Sequence, residues 1–258
     1  FSFSFYKYRR IKPPKDRFWA DPFPIYLNNK YYVFFEEYIF SKKRGTINLL
    51  EIDENGIYKA PVKIIEKNHH LSYPFIIKSE NEYYMIPEEA ETNKISIYKC
   101  DVFPSKWSFK KTLIDNINAV DSTVIFYKGK FWLFTSIIKD KYDSYNNNLH
   151  LFFSDELISD NWFSHPQNPI ITDFSKSRSA GNLFIYNDKL YRPSQNCIPD
   201  YGSGIKINEV LILDEENYNE IEVESITPSW SKDIIGTHTI NKESKLTIID
   251  SLHKVKRI

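Results

Sequence analysis

Five times along its 258 residues the chain repeats one hairpin: an apolar, aromatic-rich run, a short polar turn, and a second apolar run. The copies occupy 21–36 around Asn28-Asn29, 73–88 around 80–82, 121–134 around Lys128-Gly129, 181–193 around Asn187-Asp188, and 238–250 around 241–244. Asn28-Asn29 supplies the positive-φ positions that a two-residue hairpin turn demands. A period of roughly 50 to 60 residues is that of a propeller with one blade per copy. The inner strands of a propeller blade are covered on both faces, which is why these runs are nearly continuously apolar. Aromatic residues, 16% of the chain, supply bulk for the wedge-shaped gaps between blades. No long window shows the three- and four-residue spacing of a helical solenoid. The expectation is an all-β, five-bladed β-propeller forming one domain over 1–258.

Residues 1–12 alternate apolar and polar, which predicts a strand that completes the last blade and closes the ring. Residues 139–148 are polar without periodicity and predict a surface loop. Lys plus Arg and Asp plus Glu both number 34, and a balanced chain argues against nucleic acid as a partner. No apolar stretch reaches the roughly 20 residues of a membrane span, so no transmembrane segment is expected. The chain carries no signal-peptide pattern and its one methionine is Met85, so it reads as a domain of a longer protein whose other domains are its partners. Cys100 and Cys197 lie on different copies and read as unpaired thiols, which favours a cytoplasmic location.

In a propeller the segments that enter the innermost strands meet at one mouth of the axis. Here they carry Asp21, His70, Tyr73, Asp121, Arg178, Asn182 and His238. The segments after the second strands add Glu36, Glu37, Glu88, Glu89, Arg192 and Gln195. Buried charge is costly unless paired or used, so this set predicts a polar axial pocket. Carboxylates, arginines and histidines beside Trp19 and Tyr73 suit a sugar, whose hydroxyls take hydrogen bonds and whose C–H faces stack on rings. The same residues read alternatively as polar filling of a wet channel. As a catalytic set, Asp21 and Asp121 would face the sugar and Glu88 or Glu36 would act as the acid. His70 and His238 on separate blades read as hydrogen-bonding groups, so neither a metal nor a cofactor is expected.

The segments Arg17-Phe18-Trp19-Ala20-Asp21-Pro22-Phe23, His70-Leu71-Ser72-Tyr73-Pro74-Phe75, Asp121-Ser122-Thr123, Arg178-Ser179-Ala180-Gly181, Leu190-Tyr191-Arg192-Pro193-Ser194-Gln195 and Gly236-Thr237-His238-Thr239 resemble motifs of a known family. It is the N-terminal propeller domain of plant glucosamine inositolphosphorylceramide transferases, with bacterial relatives tied to surface-polysaccharide synthesis. The resemblance implies the five-bladed propeller of arabinanases, levansucrases and invertases. In those hydrolases an early blade-one Asp is base or nucleophile, and Asp21 is similar to it. The chain departs from them in blade two, where Tyr73-Pro74 stands at the place of a carboxylate. The resemblance implies a carbohydrate-active domain of a glycosyltransferase that binds a sugar or glycolipid moiety, or alternatively a glycosidase-like or glycosyltransferase catalytic domain.

Overall fold

The structure is a computed structural model that describes residues 5–138 and 144–254, except the side chain of Tyr6. Blade one comprises β1 (Arg17–Leu27), β2 (Lys30–Ile39), β3 (Arg44–Asp53) and β4 (Val62–Ile65), paired antiparallel in that order. Blade two repeats the order with β5 (Ser72–Ser79), β6 (Glu82–Glu88), β7 (Lys94–Val102) and β8 (Lys106–Asp115). Blade three has β9 (Ala119–Tyr127), β10 (Lys130–Ile137) and β11 (Asn148–Ser154), with the short edge strands β12 (Phe163–Ser164) and β13 (Ile171–Thr172) both on β11. Blade four has β14 (Phe184–Tyr186), β15 (Lys189–Asn196), β16 (Gly204–Leu213) and β17 (Tyr218–Ile226). The all-β propeller of the sequence reading stands, but the described residues make four full blades and not five.

The fifth copy is a single hairpin in two pieces. β18 (Ile234–Gly236) pairs with β21 (Leu252–His253), and β19 (Ile240–Glu243) pairs with β20 (Leu246–Ile249). Between the two ladders the Asp250 carboxylate accepts the backbone N–H groups of His238 (2.9 Å) and Thr239 (3.1 Å). The carboxylate thus takes over part of the pairing at that point, beside the bond from the Asp250 N–H to the Thr239 carbonyl (3.2 Å). The hairpin joins blade four to blade one. Ile240 donates its N–H to the Ala180 carbonyl (2.8 Å), and Asn241 Nδ2 donates to the Pro22 carbonyl (2.9 Å).

The N-terminal strand is also corrected. Phe5–Lys7 form a 3-10 turn and no strand precedes Arg17 among the described residues; 1–4 lie outside them. Phe5 is held by its ring, 4.5 Å from that of Trp230, beside Ile226 and Ile240, and Pro13-Pro14 breaks any further extension. Of the loop expected over 139–148, residues 139–143 lie outside the described residues, and Asn148 already begins β11.

Apolar layers between neighbouring blades carry the core. Phe23, Phe34, Leu71, Phe75 and Ile97 fill the space between blades one and two; Trp132, Phe134, Leu149, Leu190 and Leu213 fill that between three and four. Phe34 of blade one is fully buried edge-on to Trp107 of blade two (5.4 Å), a ring pair adding roughly 0.5–1.5 kcal/mol beyond its burial. Cys100 and Cys197 are buried free thiols. Among the described residues no helix is long and apolar enough to cross a membrane.

Candidate functional site

The innermost strands of blades one, two and three break their register at the same place. The ladder shifts between Ala20 and Phe23 on β1, between Ser72 and Phe75 on β5, and opposite 134–136 on β9. Asp21, Tyr73 and Asp121 sit at those bulges with φ of 51°, 40° and 52°, and Gly181 before β14 has φ 126°. Side chains rarely take such angles, and Asp is among the few that do so at little cost. The bulges turn Asp21, Tyr73 and Asp121 toward the hub, and the positive φ of Gly181 bends the chain at the matching place in blade four. At Gly181 a side chain would meet the Ile240 carbonyl oxygen at 2.2 Å, so the fourth blade presents bare backbone there.

The hub opens into a cavity of about 300 Å³ lined by Asp21, Glu36, His70, Glu88, Asp121, Arg178 and His238, with Phe18, Tyr38, Ser72 and Tyr201. On one wall Arg178 Nε donates to Asp121 Oδ2 (2.5 Å), and Gln195 Nε2 donates to the same oxygen (3.0 Å). The guanidinium also reaches Glu88 Oε2 at 3.8 Å and lies over the Tyr201 ring at 4.8 Å. Burial first, and then the charge of Asp121, hold the Glu88 carboxyl well above the usual range. Glu88 thus favours its protonated form more than an ordinary carboxyl does, beside an arginine-bound aspartate.

On the opposite wall His238 Nδ1 lies 2.6 Å from Asp250 Oδ2 and 3.6 Å from Asp21 Oδ1. Asp21 also accepts the Thr239 hydroxyl (2.7 Å) and the Tyr73 N–H (3.3 Å). Burial raises Asp21 and the His238 charge opposes it, leaving the carboxyl at about 6. Burial alone would depress His238, but the charge and hydrogen bond of Asp250, with Asp21 and Asp121 behind them, raise it to about 10. Asp21, His238 and Asp250 converge closely enough to enclose a cation. A proton held on His238 puts a positive charge at the same point.

On the third wall, Gly45 donates its N–H to His70 Nδ1 (2.9 Å), which leaves Nε2 carrying the proton, 3.4 Å from Glu36 Oε1. A side chain at Gly45 would meet Glu36 Oε1 at 2.7 Å and the Leu71 carbonyl oxygen at 2.4 Å, so the wall depends on that glycine. Glu36 Oε1 is buried and completes no hydrogen bond. Burial, then the charges of Asp21 and Glu88, push Glu36 well up.

Asp21, Glu36, His70, Glu88, Asp121, Arg178 and His238 thus meet as the hub geometry required. The other expected ligands do not reach the cavity. Trp19 donates Nε1 to Glu37 Oε2 (2.9 Å) and packs on Phe35. Tyr73 points down the axis, its hydroxyl accepting the Gly181 N–H (2.9 Å) and bonding Thr123 Oγ1 (2.9 Å). Asn182 donates its N–H to Asn241 Oδ1 (2.8 Å) beneath the floor. Arg192 is fully buried and bound to Glu220, while buried Gln195 donates to Asp121 and to the Ser179 carbonyl (2.9 Å). Asp250 and Tyr201 were missed. Asp250 holds in the fifth copy the place of Glu36, Glu88 and Gln195 in theirs, and that correspondence was the available signal.

Protonation of the hub couples to stability. His238 is raised from 6.5 to about 10, so its contribution is full below 6.5 and is lost as pH climbs through 10. Asp21, raised from 3.8 to about 6, contributes below 3.8 and loses that contribution as pH rises through 6. Urea midpoints should therefore fall between pH 6.5 and 10, and His238→Gln should flatten the decline. A wild-type midpoint that is level over that window would contradict the Asp250–His238 ion pair.

A family described as glucosamine inositolphosphorylceramide transferase 1, N-terminal, matches residues 11–243. Glucosamine inositolphosphorylceramide transferase 1 of Oryza sativa subsp. japonica is 34% identical over 209 residues, covering 80% of this chain and 28% of its own length. The chain thus spans little more than a quarter of that relative. Among solved structures it is similar to a family 117 glycoside hydrolase of Zobellia galactanivorans, with TM-score 0.64 and 15% identity over 88% of this chain and 77% of that one. It is also similar to the catalytic domain of a Coprinopsis cinerea GH62 α-L-arabinofuranosidase, with TM-score 0.63 and 11% identity over 89% and 79%. Those two likenesses concern the fold.

Proposed function

This chain belongs to the glucosamine inositolphosphorylceramide transferase N-terminal family, and from that premise we propose that it is a carbohydrate-binding propeller holding one sugar unit in its axial cavity. The observation that carries the reading is the cavity itself: four carboxylates, one arginine and two histidines, rimmed by Phe18, Tyr38 and Tyr201. Its volume is at the small end for ligand sites, which favours a single ring over an oligosaccharide. The rice relative's name contains glucosamine, and an amine-bearing sugar suits this cavity. An ammonium beside Glu36 and Glu88 would draw their protons off and pair with the carboxylates formed.

Calorimetric titration with glucosamine, N-acetylglucosamine and glucose at neutral pH tests this. Glucosamine should bind at least roughly tenfold tighter than the other two and release protons, as expected for one added charge-assisted contact. Equal affinities for all three would remove the amine preference, and no affinity for any would remove the sugar reading.

A second reading, favoured by the position of Glu88 next to the ionic Asp121–Arg178 pair and its raised affinity for a proton, is catalysis at a glycosidic bond. Glu88 would then be the acid, Asp21 the base or nucleophile, and Asp121 the group that positions the sugar. For the fold, we read the split hairpin over 234–253 as a fifth blade reduced to its inner strands. The bridging of blades four and one by Ile240 and Asn241 supports this.

A further inference from the structure

The rim of the cavity carries apolar surface that a free sugar does not require. Phe40, at the tip between β2 and β3, is 50% exposed, and Phe18 is 38% exposed. Their rings cluster with Tyr38, whose centroid lies 4.9 Å from that of Phe18 and 6.3 Å from that of Phe40. Phe18 and Tyr38 continue into the cavity wall, whereas Phe40 only projects outward. On the loop between β15 and β16, which brings Tyr201 to the cavity, Ile198 is 54% and Tyr201 47% exposed. Loop tips are normally polar, so apolar groups on two loops of one cavity mark an interaction surface.

The charge beside Phe40 says what the surface fits. Lys42, Arg44 and Lys63 all lean on one acid, Glu66, at 3.1, 3.7 and 2.5 Å, and Lys43 adds another exposed cation. The patch therefore keeps a positive excess on a chain whose overall formal charge is zero. Aromatic tips flanked by lysine and arginine suit the headgroup region of an anionic bilayer, where rings sit at the interface and cations meet phosphates. We propose that this rim docks the propeller on an anionic membrane surface, with Phe40 and Ile198 at the acyl boundary and Lys42, Lys43 and Arg44 on the phosphates. The cavity then faces headgroup sugars directly. The docking rests on the rim and not on the sugar reading.

Co-sedimentation with phosphatidylcholine vesicles, with and without phosphatidylserine, tests the proposal. Binding should require phosphatidylserine and weaken with salt. Phe40→Ala and Lys43→Glu should each reduce it by about tenfold or more, the scale of one interfacial ring or one reversed charge. Neither residue lines the cavity, so glucosamine affinity should be unchanged in both variants. Binding indifferent to phosphatidylserine, or kept in both variants, would overturn the docking. So would a wild-type chain that ignores vesicles and instead forms a dimer abolished by Phe40→Ala, which would assign the rim to a second copy. Vesicle binding without any sugar affinity would leave the docking standing and remove the sugar reading alone.

Discussion

Replacing Arg192 by Met should lower the folding free energy by about 3–5 kcal/mol, seen as a fall in the urea midpoint at unchanged slope. Arg192 is fully buried, and its Nε and Nη2 donate to the two Glu220 oxygens at 2.8 and 2.7 Å. Nη2 also donates to the Lys176 carbonyl (2.7 Å), and Tyr218 donates its hydroxyl to Glu220. Without the guanidinium, Glu220 would be a buried carboxylate with a phenol as its remaining partner. The cost is the stranded charge more than the lost attraction. Accordingly Arg192→Met with Glu220→Gln should recover much of the loss, and sugar affinity per folded molecule should be unchanged throughout. Affinity lost at unaltered stability would instead return Arg192 to the ligand.

Asp21→Asn should weaken glucosamine binding by roughly 10- to 100-fold while leaving the thermal midpoint within a few degrees of wild type. Asn, like Asp, tolerates the left-handed backbone that position 21 occupies at φ 51°, so the bulge survives the change. What disappears is the carboxylate 3.6 Å from His238 and one of the charges that raise its affinity for protons. The hub then becomes less anionic at constant shape. Calorimetry against glucosamine alongside a thermal scan of the same sample separates charge from fold. Undiminished affinity would confine recognition of the amine to Glu36 and Glu88 and leave Asp21 out of it.

Much of this architecture could be read from residues alone because its determinants are local. Asn28-Asn29, Lys128-Gly129 and Asn187-Asp188 announce their hairpins, and the runs around them show which strands are covered on both faces. That double covering also hid which side chains face the axis. Along Leu190-Tyr191-Arg192-Pro193-Ser194-Gln195 every residue is buried, so no polar alternation separates the Arg192 ion pair from Gln195 at the hub. The shortened fifth copy was not legible either, since it turns on two N–H groups bonding the Asp250 carboxylate. Tyr201 sits on a loop outside the repeat, where period carries no information.

Tyr73 crosses the axis beneath Asp21, its hydroxyl tied to Thr123 of blade three and to Gly181 before blade four. A fully buried ring held from both sides there would act as a floor, so that a ligand entering the cavity would leave by the way it came. A chain longer than the cavity is deep would keep its remainder outside, and only its final unit could be inspected. On the proposed sugar-binding reading, the cavity would take the tips of glycans and be indifferent to their interiors.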